Sequence, residues 1–143
     1  MNTFDTVTDL IVDTFGDLGQ RAEDGTCILE LAGVSMLFYT DNVGSEDVYC
    51  RAEVASLEGV VHPDKLCEAA LEGNFFWSGT DGAVLSLDPE TRTLFLTERI
   101  PADDLTDGES VEAFCEAFVR MVLAWRDRQA TYLAPDAAGK EAR

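Results

Sequence analysis

Histidine is nearly absent from this 143-residue chain: His62 stands alone. That leaves no partner for a histidine-based metal site and little support for a Cys–His nucleophile pair. The four cysteines, Cys27, Cys50, Cys67 and Cys115, are never closer than 17 positions, so neither a CxxC pair nor zinc-finger spacing exists. Each sits in an apolar segment, as a small buried hydrophobe in a reducing compartment does. The glycines form neither a GxxxxGK[ST] loop nor a GxGxxG turn after a strand, and TDNVGSED lacks the ligand spacing of an EF-hand. No apolar run approaches the roughly 20 residues of a membrane span. The opening MNTFDTVTDL has neither a basic nor an apolar leader segment, so we expect no signal peptide and a cytoplasmic chain.

Basic residues are also scarce. Ten Lys and Arg face 28 Asp and Glu, for a net charge of −18 and a pI near 4.1. Such a surface repels phosphate backbones, which argues against nucleic acid and anionic membranes as partners. It suits solubility, or a basic partner. Carboxylate pairs such as Asp103-Asp104, Glu46-Asp47 and Asp107/Glu109 resemble a glycosidase or divalent-metal arrangement. With so many acids, chance pairs in turns are expected, so no catalytic, metal or cofactor residue is assigned.

What is present is apolar patterning, at 46% of the chain. In TFDTVTDLIVDTFGDLG, Phe4, Val7, Leu10, Ile11, Phe15 and Leu18 recur at helical spacing, which predicts a helix over 3–19 with Gly19 just past its end. Strand patterns follow at 26–31, 34–40 and 47–57, the first two joined by Ala32-Gly33 and the last two by a turn at 41–46. In VSMLFYT, Val34, Met36 and Phe38 share one face, and Leu37 and Tyr39 the other. A strand apolar on both faces meets more than water on its second side. PDKLCEAALE predicts a short helix at 63–72, with Pro63 in its first turn and Leu66, Cys67, Ala70 and Leu71 on one face. Two more strands are expected at 83–87 and 93–100, and a last helix over about 110–130 behind a Thr106–Glu109 capping box, with Asp107 or Ser110 as alternative caps. The result is an α+β domain over residues 1–132, in the order α-β-β-β-α-β-β-α, with an antiparallel twisted sheet packed by helices. Residues 133–143 form a tail without pattern.

One stretch resists this scheme. In EGNFFWSGTDGAVLSL, Phe75, Phe76 and Trp77 are consecutive and cannot all face one core. An extended backbone puts Phe75 and Trp77 on one side and Phe76 on the other. At least one aromatic then faces solvent, a ligand or another chain.

The second half, LCEAALEGNFFWSGTDGAVLSLDPETRTLFLTERIP followed by FCEAFVRMVLAWRD, resembles the class I chaperones of bacterial type III secretion, the Tir-chaperone-like family. The similarity runs over roughly residues 3–128: a short helix ending in Asn (Leu66–Asn74), a strand after a glycine (Gly82–Leu87), a turn (Asp88–Arg92), an L-x-L strand from Leu94 and Leu96 to Pro101, and an aromatic, Trp125, late in the last helix. The resemblance implies a homodimeric, cytoplasmic, non-enzymatic virulence-associated chaperone that needs no cofactor. It binds the N-terminal segment of a secreted effector in extended form. It further implies a dimer interface on the second helix and the following strand (Leu66, Cys67, Ala70, Leu71, Phe75, Trp77, Val84 and Leu85). For effector contacts the candidates are Phe4, Val7, Ile11 and Phe15 on the first helix, and Leu37 and Tyr39 on the outer face of the meander. A regulatory protein-binding module of the same fold, outside secretion, is the alternative.

Overall fold

The computed structural model describes residues 3–41 and 46–132. The expected tail at 133–143 and most of the expected 41–46 turn lie outside these residues. In chain order the elements are α1 (Phe4–Phe15), β1 (Gly19–Arg21), β2 (Cys27–Leu31), β3 (Val34–Tyr39), β4 (Asp47–Ser56), α2 (Pro63–Asn74), β5 (Val84–Asp88), β6 (Thr93–Pro101) and α3 (Gly108–Ala130). The six strands are hydrogen-bonded in the order β1-β2-β3-β4-β6-β5. The architecture is the expected α+β, with one strand more than the sequence predicts. The chain divides into two compact units, Met1–Ala52 with Thr97–Arg120, and Glu53–Leu96 with Met121–Arg143, so that β4, β6 and α3 each contribute to both.

In the first unit, Thr3 caps α1 by accepting from the Thr6 amide. The helix stops at Phe15, four residues before the expected end, because Gly16 adopts a left-handed φ of 60°. Leu18 therefore leaves the helical stripe and is exposed. Gly19 is not the helix terminator but the first residue of the unexpected strand β1. It packs closely enough under α1 that a Cβ there would lie 3.2 Å from Ile11 Cγ2. β1 pairs antiparallel with β2 (Gly19 with Leu29, Arg21 with Cys27), and Arg21 forms an ion pair with Asp9. β2, β3 and β4 form the expected meander, aligning Cys27, Phe38 and Cys50 across three strands. Their inward side chains are buried together with Val7, Ile11, Val111 and Cys115. Phe38 meets Phe114 of α3 edge to face at 6.4 Å. At the start of α3, Asp107 Oδ1 accepts from the Ser110 amide, and Ser110 Oγ accepts from the Thr106 and Asp107 amides. Asp107 is thus the cap, in a reciprocal arrangement with Ser110 rather than Glu109.

In the second unit, α2 starts at Pro63 as expected and runs to Asn74. Leu66, Ala69, Ala70, Leu85, Leu94, Leu96, Val122 and Trp125 are buried. Asn74 joins helix to strand: its Nδ2 donates to the Leu85 carbonyl at 3.0 Å, and its Oδ1 accepts from the Leu85 amide at 2.9 Å. The side-chain amide takes the place of a neighbouring strand's peptide group and satisfies both main-chain atoms of Leu85.

Candidate protein-binding surfaces

Five of the nine large apolar side chains exposed among the described residues fall between Leu71 and Val84. Leu71 lies on α2 and is 72% exposed; Phe75, Phe76 and Trp77 follow at 69%, 78% and 53%, and Val84 opens β5. The aromatic segment is not extended. It forms a 3-10 turn in which Phe76 (φ 51°) and Trp77 (φ 57°) are both left-handed. The expected alternation is therefore replaced by a knob: all three rings stand out, with Phe75 and Phe76 edge to face at 4.6 Å. Left-handed backbone costs roughly 1–2 kcal/mol for each non-glycine residue. Exposing three large rings adds a solvation cost, so the isolated chain gains nothing from this arrangement.

Of the other residues expected at this contact, Cys67 is half-buried, whereas Leu66, Ala70 and Leu85 are buried within their own unit. Those three support the face from below rather than form it. Phe76, absent from the expected set, is the most exposed of the aromatics.

A second surface lies on the outer face of the meander in the first unit. Register places Ile28 opposite Leu37, Leu37 opposite Arg51, and Tyr39 opposite Tyr49. The two tyrosine rings stack at 5.4 Å, and the Arg51 guanidinium lies over Tyr39 at 5.5 Å from its centre. Tyr49 OH donates to Asp41 Oδ2 at 3.3 Å. Ile28 is exposed, and Leu37 and Tyr39 are half-buried, giving an apolar strip edged with polar atoms. α1 differs from expectation. Val7 and Ile11 are fully buried because their stripe packs into the first unit's core, so neither reaches the surface; Phe4 and Phe15 are half-exposed.

His62 precedes α2, exposed and without a side-chain capping bond. Asp103 and Asp104 lie exposed in a 3-10 turn. Among the described residues, no three His, Cys, Asp or Glu side chains converge as a metal site would require. All four cysteines are free. Burial raises the Cys27 and Cys50 thiols above their ordinary range and pushes Cys115 up to about 12, so these three stay protonated and poorly nucleophilic. No described helix is long and apolar enough to cross a membrane.

Residues 13–126 match the model of the Tir chaperone protein (CesT) family. The chain belongs to that family. Solved structures agree on the fold. The ExsC–ExsE complex matches with a TM-score of 0.71 at 19% identity, covering 89% of this chain and 96% of the other. The HopA1–SchA chaperone–effector complex gives 0.60 at 15%, covering 83% and 91%. The Yersinia pestis type III secretion chaperone SycH, bound to a stable fragment of YscM2, gives 0.60 at 14%, covering 86% and 99%. No curated protein sequence gives a significant match.

Within this Tir-chaperone fold, the departures from the expected pattern carry the information. Nothing in the pattern of α2 and β5 predicted a left-handed aromatic knob between them. The one available signal was the pair Gly73 and Gly79 flanking the aromatics, since glycines bracketing bulky residues mark a tight turn.

Proposed function

We propose that this protein is a cytoplasmic type III secretion chaperone. It acts as a homodimer that holds the N-terminal segment of a secreted effector in extended form, without enzymatic activity. The observation that carries the reading is the pair of apolar surfaces on a Tir-chaperone fold: the α2–knob–β5 face in the second unit and the outer meander face in the first.

The two surfaces suit different partners. The first is aromatic and strongly exposed, and it repeats identically on a second copy, as an isologous two-fold contact requires. Leu71, Phe75, Trp77 and Val84 are its contact residues, Cys67 lies at its margin, and Leu66, Ala70 and Leu85 are its support. The second surface is a shallow strip along strands. It fits alternate side chains of an extended segment, with Leu37 and Tyr39 at its centre and Phe4 and Phe15 as the accessible positions of α1. Many modest apolar contacts of this kind retain a client without a reactive centre. Two copies present two strips, which adds avidity. The net charge of −18 keeps both surfaces from non-specific association.

The test is co-expression with exported proteins encoded nearby, followed by mass measurement of the purified species. The expected species is two copies of this chain with one client. A stable monomer at micromolar concentration, with no complex to any such protein, refutes the reading.

A further inference from the structure

The aromatic knob is held by residues that take no part in either proposed contact. Trp125, near the end of α3, is buried, and its Nε1 donates to the Gly79 carbonyl at 2.8 Å. Its six-membered ring lies close enough to α2 that a Cβ on Gly73 would stand 2.7 Å from Cζ2. Gly79 in turn donates its amide to the Gly73 carbonyl at 2.9 Å, and a Cβ on Gly79 would lie 3.0 Å from Gly73 Cα. The Arg128 guanidinium covers the indole at 4.9 Å. Gly73, Gly79 and Trp125 thus close the two ends of the segment 73–79 on each other. Inside that clasp sit the two left-handed aromatics, Phe76 and Trp77. Beside it lies Thr80, whose buried Oγ1 has no hydrogen-bond partner. Strained backbone and an orphan hydroxyl persist only where the surroundings over-determine them.

We propose that Trp125 is a positioning residue: through Gly73 and Gly79 it pre-forms the Phe75–Trp77 knob for docking on a second copy of this chain. This rests on the reading of the α2–knob–β5 face as the dimer contact. An aromatic loop that must order itself at association loses affinity for every side chain immobilised, on both copies. The clasp meets that cost during folding instead. Trp125 touches no partner; it acts by fixing where the three exposed rings point.

The test compares Trp125→Phe with Val122→Ala. The first keeps an aromatic ring against Gly73 and deletes the N–H donor. The second removes buried volume one turn earlier on the same helix and leaves the clasp intact. Hydrogen exchange of the peptide spanning 73–83 and the dimer dissociation constant are measured for both, with the wild type alongside. For Trp125→Phe we expect faster exchange at the Gly79, Thr80 and Asp81 amides and a dimer weakened by about tenfold or more, the scale of ordering several side chains. For Val122→Ala we expect a lower Tm with knob exchange and dimer affinity unchanged. Gly79→Ala, whose Cβ would crowd Gly73 Cα at 3.0 Å while the sequence of α3 stays unchanged, should reproduce the Trp125→Phe result and serves if that variant does not fold. A wild-type dimer indifferent to both clasp variants overturns the proposal and leaves the dimer reading standing. Equal weakening by Val122→Ala reduces Trp125 to an ordinary core residue and also overturns it. A wild-type chain that stays monomeric at micromolar concentration overturns the dimer reading, and the proposal with it.

Discussion

Leu71→Glu separates dimer formation from folding, because Leu71 is 72% exposed in the isolated chain. Removing a whole leucine side chain from water contributes about 1.5–3 kcal/mol, so the exposed share leaves roughly 1–2 kcal/mol to be gained at an interface. Two-fold symmetry uses the position twice, giving roughly 2–4 kcal/mol per dimer. At about 1.4 kcal/mol per tenfold, the lost transfer term alone weakens the dimer by roughly 30- to 700-fold. Two carboxylates brought together without partners weaken it further. Glu68 and Glu72, both exposed on α2 beside Leu71, add like-charge repulsion. The monomer should barely change, since Glu is nearly as good a helix former as Leu and no buried contact is lost. Sedimentation equilibrium over a nanomolar to micromolar range reads the dissociation constant, and thermal unfolding at low concentration reads the fold. A dissociation constant within threefold of wild type refutes the placement of the interface on α2. A large fall in monomer Tm instead shows that Leu71 supports the fold.

Three other outcomes follow from the same geometry. Asn74→Ala removes both hydrogen bonds to Leu85 and strands its part-buried main-chain groups, costing about 1–3 kcal/mol; Tm should fall by roughly 4–10 °C, and an unchanged Tm would show that the side-chain bridge is dispensable. Leu37→Glu places a charge at the centre of the outer meander strip and should reduce effector binding in a pull-down while leaving the dimer intact; loss of the dimer would show that the two surfaces are not separate. In the folded protein a thiol reagent at pH 8 should modify Cys67 quickly and Cys27, Cys50 and Cys115 only on unfolding, because burial raises the pKa of those three; four equally fast thiols would contradict that burial.

Much of the fold was legible because its periodicities are long and unambiguous. Val34, Met36 and Phe38 alternate with Leu37 and Tyr39, and the structure puts the first set inside and the second half-buried on the outer face. Val111, Phe114, Cys115, Phe118, Val122 and Trp125 recur at helical spacing along α3, and all are buried except Phe114, which is half-buried. β1 escaped because Gly19, Gln20 and Arg21 have no apolar alternation; its pairing is recorded only in the partner strand β2. The stripe of α1 was legible as a stripe, but periodicity does not say what covers it. Val7 and Ile11 meet the protein's own core, which leaves, of the client contacts expected on that stripe, only the half-exposed Phe4 and Phe15 within reach.

The aromatic knob was illegible for a different reason, and that reason bears on function. Local propensity favours an extended or right-handed backbone for Phe and Trp, so any reading of residues 75–77 alone gives the wrong geometry. The conformation is imposed from 46 positions away in sequence, by the Trp125 hydrogen bond to Gly79, and by the absence of side chains on Gly73 and Gly79 that lets the chain close. A sequence in which local preference and observed structure disagree is under a constraint other than stability of the single chain. Here the disagreement falls where five of the nine exposed large apolar side chains of the described residues lie, between Leu71 and Val84. Strain, exposure and a dedicated clasp at one place make a contact surface the economical explanation, since burial against a second copy recovers the solvation cost that the monomer carries. A solvent-facing loop with no partner would have no use for any of the three.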